Sequence, residues 1–134
     1  MGEDSAIAIG PDDGVHISYY DATGQRVLKY INNVGGNWSI PVLLEQSGNS
    51  GMYSSLAIDA NDSVHVAYLN QREKDLMYTT NAGGFWDPDL IDESGTVSGR
   101  VSLALDSQGM PHVAYYRDDG LAYAEQSGTA WNIT

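Results

Sequence analysis

One phrase is written three times in this chain: "VHISYYD" from Val15, "VHVAYLN" from Val64 and "PHVAYYR" from Pro111. A segment that recurs at a long, nearly constant interval marks one supersecondary unit built repeatedly, each copy burying its apolar side against the next. Anchored on His16, His65 and His112, the intervals are 49 and 47 residues. The likeness extends well beyond the phrase. Ten residues upstream of the histidines begin "AIAIG", "SLAID" and "SLALD"; three residues downstream stand Tyr19, Tyr68 and Tyr115. A Leu-x-Tyr follows each time, ending in Tyr30, Tyr78 and Tyr123, and eight residues further come Trp38, Trp86 and Trp131.

Each unit reads as four short strands. Strand A is of the "SLALD" type, strand B is the repeated phrase, strand C carries Leu-x-Tyr and strand D starts at the tryptophan. β-Branched and aromatic residues dominate these segments, as pleated strands favour. "GPDDG", "ANDS" and "SQGM" supply the Asp, Asn and Gly that tight A–B hairpins need. A four-stranded antiparallel sheet repeated at this period is a β-propeller blade. The reading is therefore all-β, with three blades at about 3–46, 52–94 and 99–134 forming a single domain over 1–134. After Trp131 only "NIT" remains, against "SIPVLLE" and "DPDLIDE" in the other units, so the third strand D is expected to be short.

Three blades do not close a ring, since closed propellers typically have four to eight. An open arc leaves the outer faces of blades one and three apolar and bare, and such patches signal an interface. The expected partner is a second copy: a homodimer of six blades about a two-fold axis. A fragment of a longer propeller is the other possibility.

Six basic residues against 18 acidic ones give a net charge of -12, which disfavours nucleic acid and anionic membranes. There is no cysteine, so thiolate catalysis and cysteine-based metal sites are excluded. The start "MGEDSAIAIG" lacks the basic and apolar regions of a signal peptide, and the compartment stays open. No P-loop, dinucleotide fingerprint, nucleophile elbow or metalloprotease helix is present, and no turn matches a calcium loop. No cofactor or metal is expected. A three-histidine site on the axis is conceivable by ligand type. Asn37, Asn61 and Asn132 begin formal glycosylation acceptors.

The recurrent His16, His65, His112, Trp38, Trp86, Trp131, Tyr19, Tyr68, Tyr115, Tyr30, Tyr78 and Tyr123 read as scaffold, with Asp59 and Asp106 as natural partners of His65 and His112 across the A–B hairpin. Gly10 holds that place in the first unit. Recognition belongs on loops that vary over a rigid frame. The B–C loops "DATGQR", "NQREKD" and "RDDG" differ, as do the D–A connections "EQSGNSGMYS" and "ESGTVSGR". Both sets share one rim, which carries the ligand-binding candidates Tyr20, Asp21, Arg26, Tyr53, Arg72, Lys74, Arg100, Tyr116 and Arg117. The A–B rim is acidic, with Asp12, Asp13 and Asp62.

The pattern "SLALDSQGMPHVAYY…LAYA…G.AW" resembles the blade repeats of the broad sialidase-like (BNR-like) group. The Asp-box pattern Ser-x-Asp-x-Gly-x-x-Trp is not met, because Asp106-Ser-Gln-Gly109 has a different Asp–Gly spacing. The layout is also similar to small fucose-binding propeller lectins, some of which assemble six blades from short chains. Their Arg-Glu-Trp sugar site is matched here at the tryptophans, while Arg26, Arg72, Arg100 and Arg117 occupy four different offsets. The expectation is a non-catalytic half-propeller, not an enzyme, that self-assembles and binds glycan or protein on its loop rim. The alternatives are a scaffold with no selected ligand and a fragment of a glycoside hydrolase.

Overall fold

Twelve strands and no helix make up the described residues, 2–134, of the computed structural model. Blade one contains β1 (Gly2–Ile9), β2 (Val15–Asp21), β3 (Val27–Asn32) and β4 (Val42–Leu43). Blade two contains β5 (Ser50–Ile58), β6 (Val64–Asn70), β7 (Asp75–Thr80) and β8 (Asp89–Asp92). Blade three contains β9 (Val97–Leu105), β10 (Pro111–Arg117), β11 (Gly120–Ser127) and β12 (Ala130–Ile133). Each is a four-stranded antiparallel sheet in chain order, the propeller-like arrangement expected from the repeat.

Strand D departs from its expected position. β4 and β8 start several residues after Trp38 and Trp86, because Pro41 and Pro88 intervene and a proline has no N–H to give a ladder. No proline follows Trp131, and β12 runs from Ala130 through the tryptophan. The third strand D is thus four residues long, against two for β4, and is not the short one.

Two apolar cores lie at the seams between blades. One joins blades one and two through Leu28, Tyr30, Leu44, Leu56, Val66 and Tyr68. The other joins blades two and three through Leu76, Tyr78, Val101, Leu103, Val113 and Tyr115. Close approach at the first seam depends on Gly51. Its φ is +119°, and a Cβ there would lie 2.9 Å from both the N and Cα of Leu28. The burial of strand B shows the consequence of having two seams. β6 is buried on both faces, while β2 and β10 each alternate. Neither face of strand B is strongly polar, yet only the middle blade has a neighbour on either side.

Each A strand also bulges near its start, opposite or beside the strand-B tyrosine. The bulged segments hold Asp4, Tyr53 and Gly99 at positive φ. Bulges re-aim side chains at barrel rims and binding sites. Here they bring Asp4, Ser5, Tyr53, Ser54, Arg100 and Val101 around a cavity of about 70 Å³ where the three A strands converge.

Candidate functional site

Two repeated devices hold the seams and determine which polar groups are committed to structure. The first is a carboxylate at the end of strand D. Glu45 Oε1 accepts from the backbone N–H groups of Gln46 and Ser47, and its Oε2 accepts from Tyr68 Oη of the next blade at 2.9 Å. Asp92 repeats this: Oδ1 accepts from Ser94 N and Oδ2 from Tyr115 Oη at 2.7 Å. Arg117 adds Nε and Nη2 to the same Oδ2, at 2.8 and 2.7 Å. Burial pushes the Asp92 carboxyl up, but bonds from Tyr115, Ser94 and Arg117 outweigh it and hold the group below the usual carboxylate range. Burial and the facing carboxylates push the Tyr68 and Tyr115 hydroxyls up.

The second device is a His–Tyr–Trp relay. His16, His65 and His112 each place Nδ1 2.6 Å from the hydroxyl of Tyr30, Tyr78 and Tyr123, across strands B and C. Trp86 of blade two packs on Tyr30 and Trp131 of blade three on Tyr78, at ring separations of 5.4 and 5.2 Å. Burial raises the Tyr30 and Tyr78 hydroxyls to about 12. On the other side of the ring, His65 Nε2 lies 3.1 Å from Asp59 and His112 Nε2 3.5 Å from Asp106, the pairs expected from the hairpins. The histidines stay apart, one beneath each A–B turn, and form no cluster on the axis. Trp38 is 54% exposed, and among the described residues no ring stacks on it.

The nine rim residues do not form one constellation. Arg117 is diverted to Asp92, and Asp21 is held by Lys29 Nζ at 2.6 Å and by Thr23. Arg72 sits beside Glu73, both exposed, and Lys74 is an exposed turn residue with φ 58°. Tyr116 lies on the bare face of blade three. Tyr53 and Arg100 meet at the axial cavity.

Tyr20 and Arg26 belong to a different place, a groove of about 410 Å³ between blades one and two, completed by Glu3, Ala22, Asn49, Met52 and Gln71. Its walls are three loops stitched by main-chain bonds: Asn49 N donates to Arg26 O at 2.7 Å, and Gln71 N donates to Asn49 O at 3.2 Å. Tyr20 Oη reaches Asn49 Oδ1 at 3.4 Å. Arg26 and Asn49 both adopt positive φ, 57° and 65°, which turns their side chains at the rim. The groove thus offers a guanidinium, a carboxylate, two amides and a phenol beside the Met52 thioether. Donors and acceptors over an apolar patch are the complement of a sugar ring, whose hydroxyls both give and take hydrogen bonds. Asn49 and Gln71 lie in loops whose variability marked them and Met52 at the bulged start of β5, yet their side chains carried no repeated signal. Glu3 is far from them in sequence.

No protein-family model matches the chain, and no curated protein matches it. Solved structures do. The chain is similar to a fucose lectin from Kordia zhangzhouensis solved in complex with methyl-fucoside, at 12% identity and TM-score 0.58, over 97% of this chain and 96% of that one. It is also similar to a polysaccharide lyase, the PL25 ulvan lyase, at 14% identity and TM-score 0.66, over 99% of this chain and 43% of that one. The same lyase bound to -[GlcA(1-4)Rha3S]- matches at 13% identity and the same TM-score. This chain spans less than half the length of the lyase. At such identities the likeness is one of fold: three four-stranded antiparallel sheets, shared with a lectin and with a polysaccharide lyase.

Proposed function

We propose that this chain is a non-catalytic carbohydrate-binding half-ring that closes with a second copy of itself. The observation that carries the binding role is the stitched groove between blades one and two, with Arg26, Glu3, Asn49 and Gln71 over Met52 and Tyr20. Glycoside hydrolysis asks for two carboxylates flanking the bond, and the groove is lined by one, Glu3. The fold shared with a lectin solved with methyl-fucoside supports a sugar as ligand.

The seam devices support the second copy. Among the described residues, blade three presents His112 and Tyr123 without a tryptophan over them, and blade one presents Trp38 without a tyrosine beneath it. Leu121 is 72% exposed although its counterparts Leu28 and Leu76 are fully buried. Ile7 and Ile9 are bare on the other end. Seating Trp38 of one copy on Tyr123 of the other, at both ends, makes the four internal seams and the two new ones equivalent in kind.

The test has two arms. Calorimetric titration with methyl-fucoside and with ulvan oligosaccharides, after a glycan array, should show saturable binding. Arg26→Asn should weaken it roughly ten- to a hundredfold, the worth of a charged hydrogen bond, with melting unchanged because asparagine accepts the backbone at that position. A silent array overturns the binding role. Light scattering should give twice the 14.5 kDa of the chain; a monomer at tens of micromolar overturns ring closure.

A further inference from the structure

On the rim opposite the groove, the first seam differs from the second in one polar detail. At the second seam, His65 Nε2 meets Asp59, the residue that ends its own strand A, and the neighbouring turn contributes Gly109. At the first seam the roles are exchanged. Gly10 ends strand A, and the neighbouring turn contributes Asp62, held at φ 64° where blade three has glycine. The exchange does not restore the pair. Asp62 Oδ1 stops 3.7 Å from His16 Nε2, beyond a hydrogen bond.

His16 is 2% exposed, and its buried Nε2 has no hydrogen-bond partner among the described residues; nor has the buried Asp62 Oδ1. A third group, Asp12, brings a carboxylate oxygen within 4.8 Å of both. Gly10 leaves the space that these atoms enclose. A Cβ at Gly10 would lie 2.8 Å from Asp62 Oδ1, 3.0 Å from His16 Nε2 and 3.2 Å from Asp12 Oδ1. Tyr30 Oη at Nδ1 fixes the ring. If Nδ1 carries the proton and gives it to Tyr30, the Nε2 lone pair faces two carboxylates. Such an arrangement is repulsive unless a cation sits among them.

We propose that Asp12, His16 and Asp62 form a divalent-metal site bridging blades one and two. One imidazole and two carboxylates suit a first-row transition cation such as Zn²⁺ or Mn²⁺ better than Ca²⁺ or Mg²⁺, which prefer oxygen alone. Water completes the coordination on the open side, where Asp12 is exposed. Tyr30 is the group behind the ligand that holds the imidazole in register. Because the ligands come from two blades, the metal ties the A–B turns of the first seam as the direct Asp59–His65 bond ties the hairpin of blade two.

Full-length protein stripped with a chelator and titrated with Co²⁺ should take up one equivalent, with d–d absorption bands and a shifted His16 Nε2 resonance. Asp62→Asn and Asp12→Asn should each weaken uptake by more than about a hundredfold, beyond the roughly 10–100-fold usual for loss of an outer-sphere partner. Gly10→Ala, whose Cβ would stand 2.8–3.2 Å from the three ligand atoms, should abolish uptake while the fold persists, because the methyl group fills the space and brings no ligand of its own. His65→Gln should leave uptake unchanged. Absence of saturable uptake overturns the proposal, as does uptake that survives Gly10→Ala together with Asp62→Asn, which would place the metal elsewhere on the acidic surface.

Discussion

The middle blade and the two outer blades are built from nearly the same phrase and live in different surroundings. In β6 every residue from Val64 to Leu69 is buried, whereas β10 buries Val113 and Tyr115 and leaves Tyr116 55% exposed. The difference is one of neighbours. A blade is apolar on both faces, and only blade two has a blade against each. Equivalent residues therefore have unequal worth, and the inequality identifies the faces that await a partner.

Leucine of the Leu-x-Tyr motif should show the largest contrast. Leu76→Ala removes a fully buried side chain and should cost about 2–5 kcal/mol in denaturant unfolding. Leu121→Ala should cost under about 0.5 kcal/mol in dilute protein, as surface changes do, and should instead lower the mass seen by light scattering at high concentration. Equal losses at both positions would break the comparison.

The tyrosines of strand B come next. Tyr68→Phe and Tyr115→Phe each deprive a buried carboxylate of its hydroxyl donor and should destabilise by about 1–3 kcal/mol. Tyr19→Phe should be nearly silent in the monomer, because among the described residues no strand-D carboxylate accepts its hydroxyl as Glu45 and Asp92 accept those of Tyr68 and Tyr115. Trp86→Ala and Trp131→Ala lose a half-buried ring and an aromatic pair, worth about 0.5–1.5 kcal/mol beyond area. Trp38→Ala should leave chemical unfolding of the monomer unchanged and reduce self-association. By sequence all three read alike, as scaffold.

The smallest effect is in pH. Asp92 and Asp59 titrate below the usual range in the folded chain, burial being outweighed by their hydrogen bonds. A depressed carboxyl contributes stability that is complete above its unfolded pKa near 4 and is lost as pH falls through the lower folded value. Melting temperature should therefore drop below about pH 4, and less steeply in Asp92→Asn. Glu125 supplies a contrast at the bare end. It accepts the Tyr123 hydroxyl and raises that group's pKa from the exposed side, where Tyr30 and Tyr78 are raised by burial.

Much of the candidate site was hidden for a plain reason. Arg26 and Tyr20 were marked by loop variability, but the groove also needs Glu3 from β1 and Gln71 from the loop after β6. Arg117, a rim candidate by sequence, is taken by Asp92. The acids at 45 and 92 do lie one repeat apart, in "LLEQSG" and "LIDESG", and that spacing was a signal available in the letters.

The sequence by itself determined what is local and periodic: strands, hairpins, three blades, and a histidine, tyrosine and tryptophan at fixed offsets in each. These follow from side-chain alternation and turn chemistry, which act over a few residues. Only the tertiary structure decided which copies are covered and which carboxylate faces which histidine. It also decided that Gly10 and Asp62 meet across a seam where Asp59 and Gly109 meet in the next. Those outcomes depend on distances between blades, and a repeat that is identical in pattern cannot specify which of its copies stands at the end.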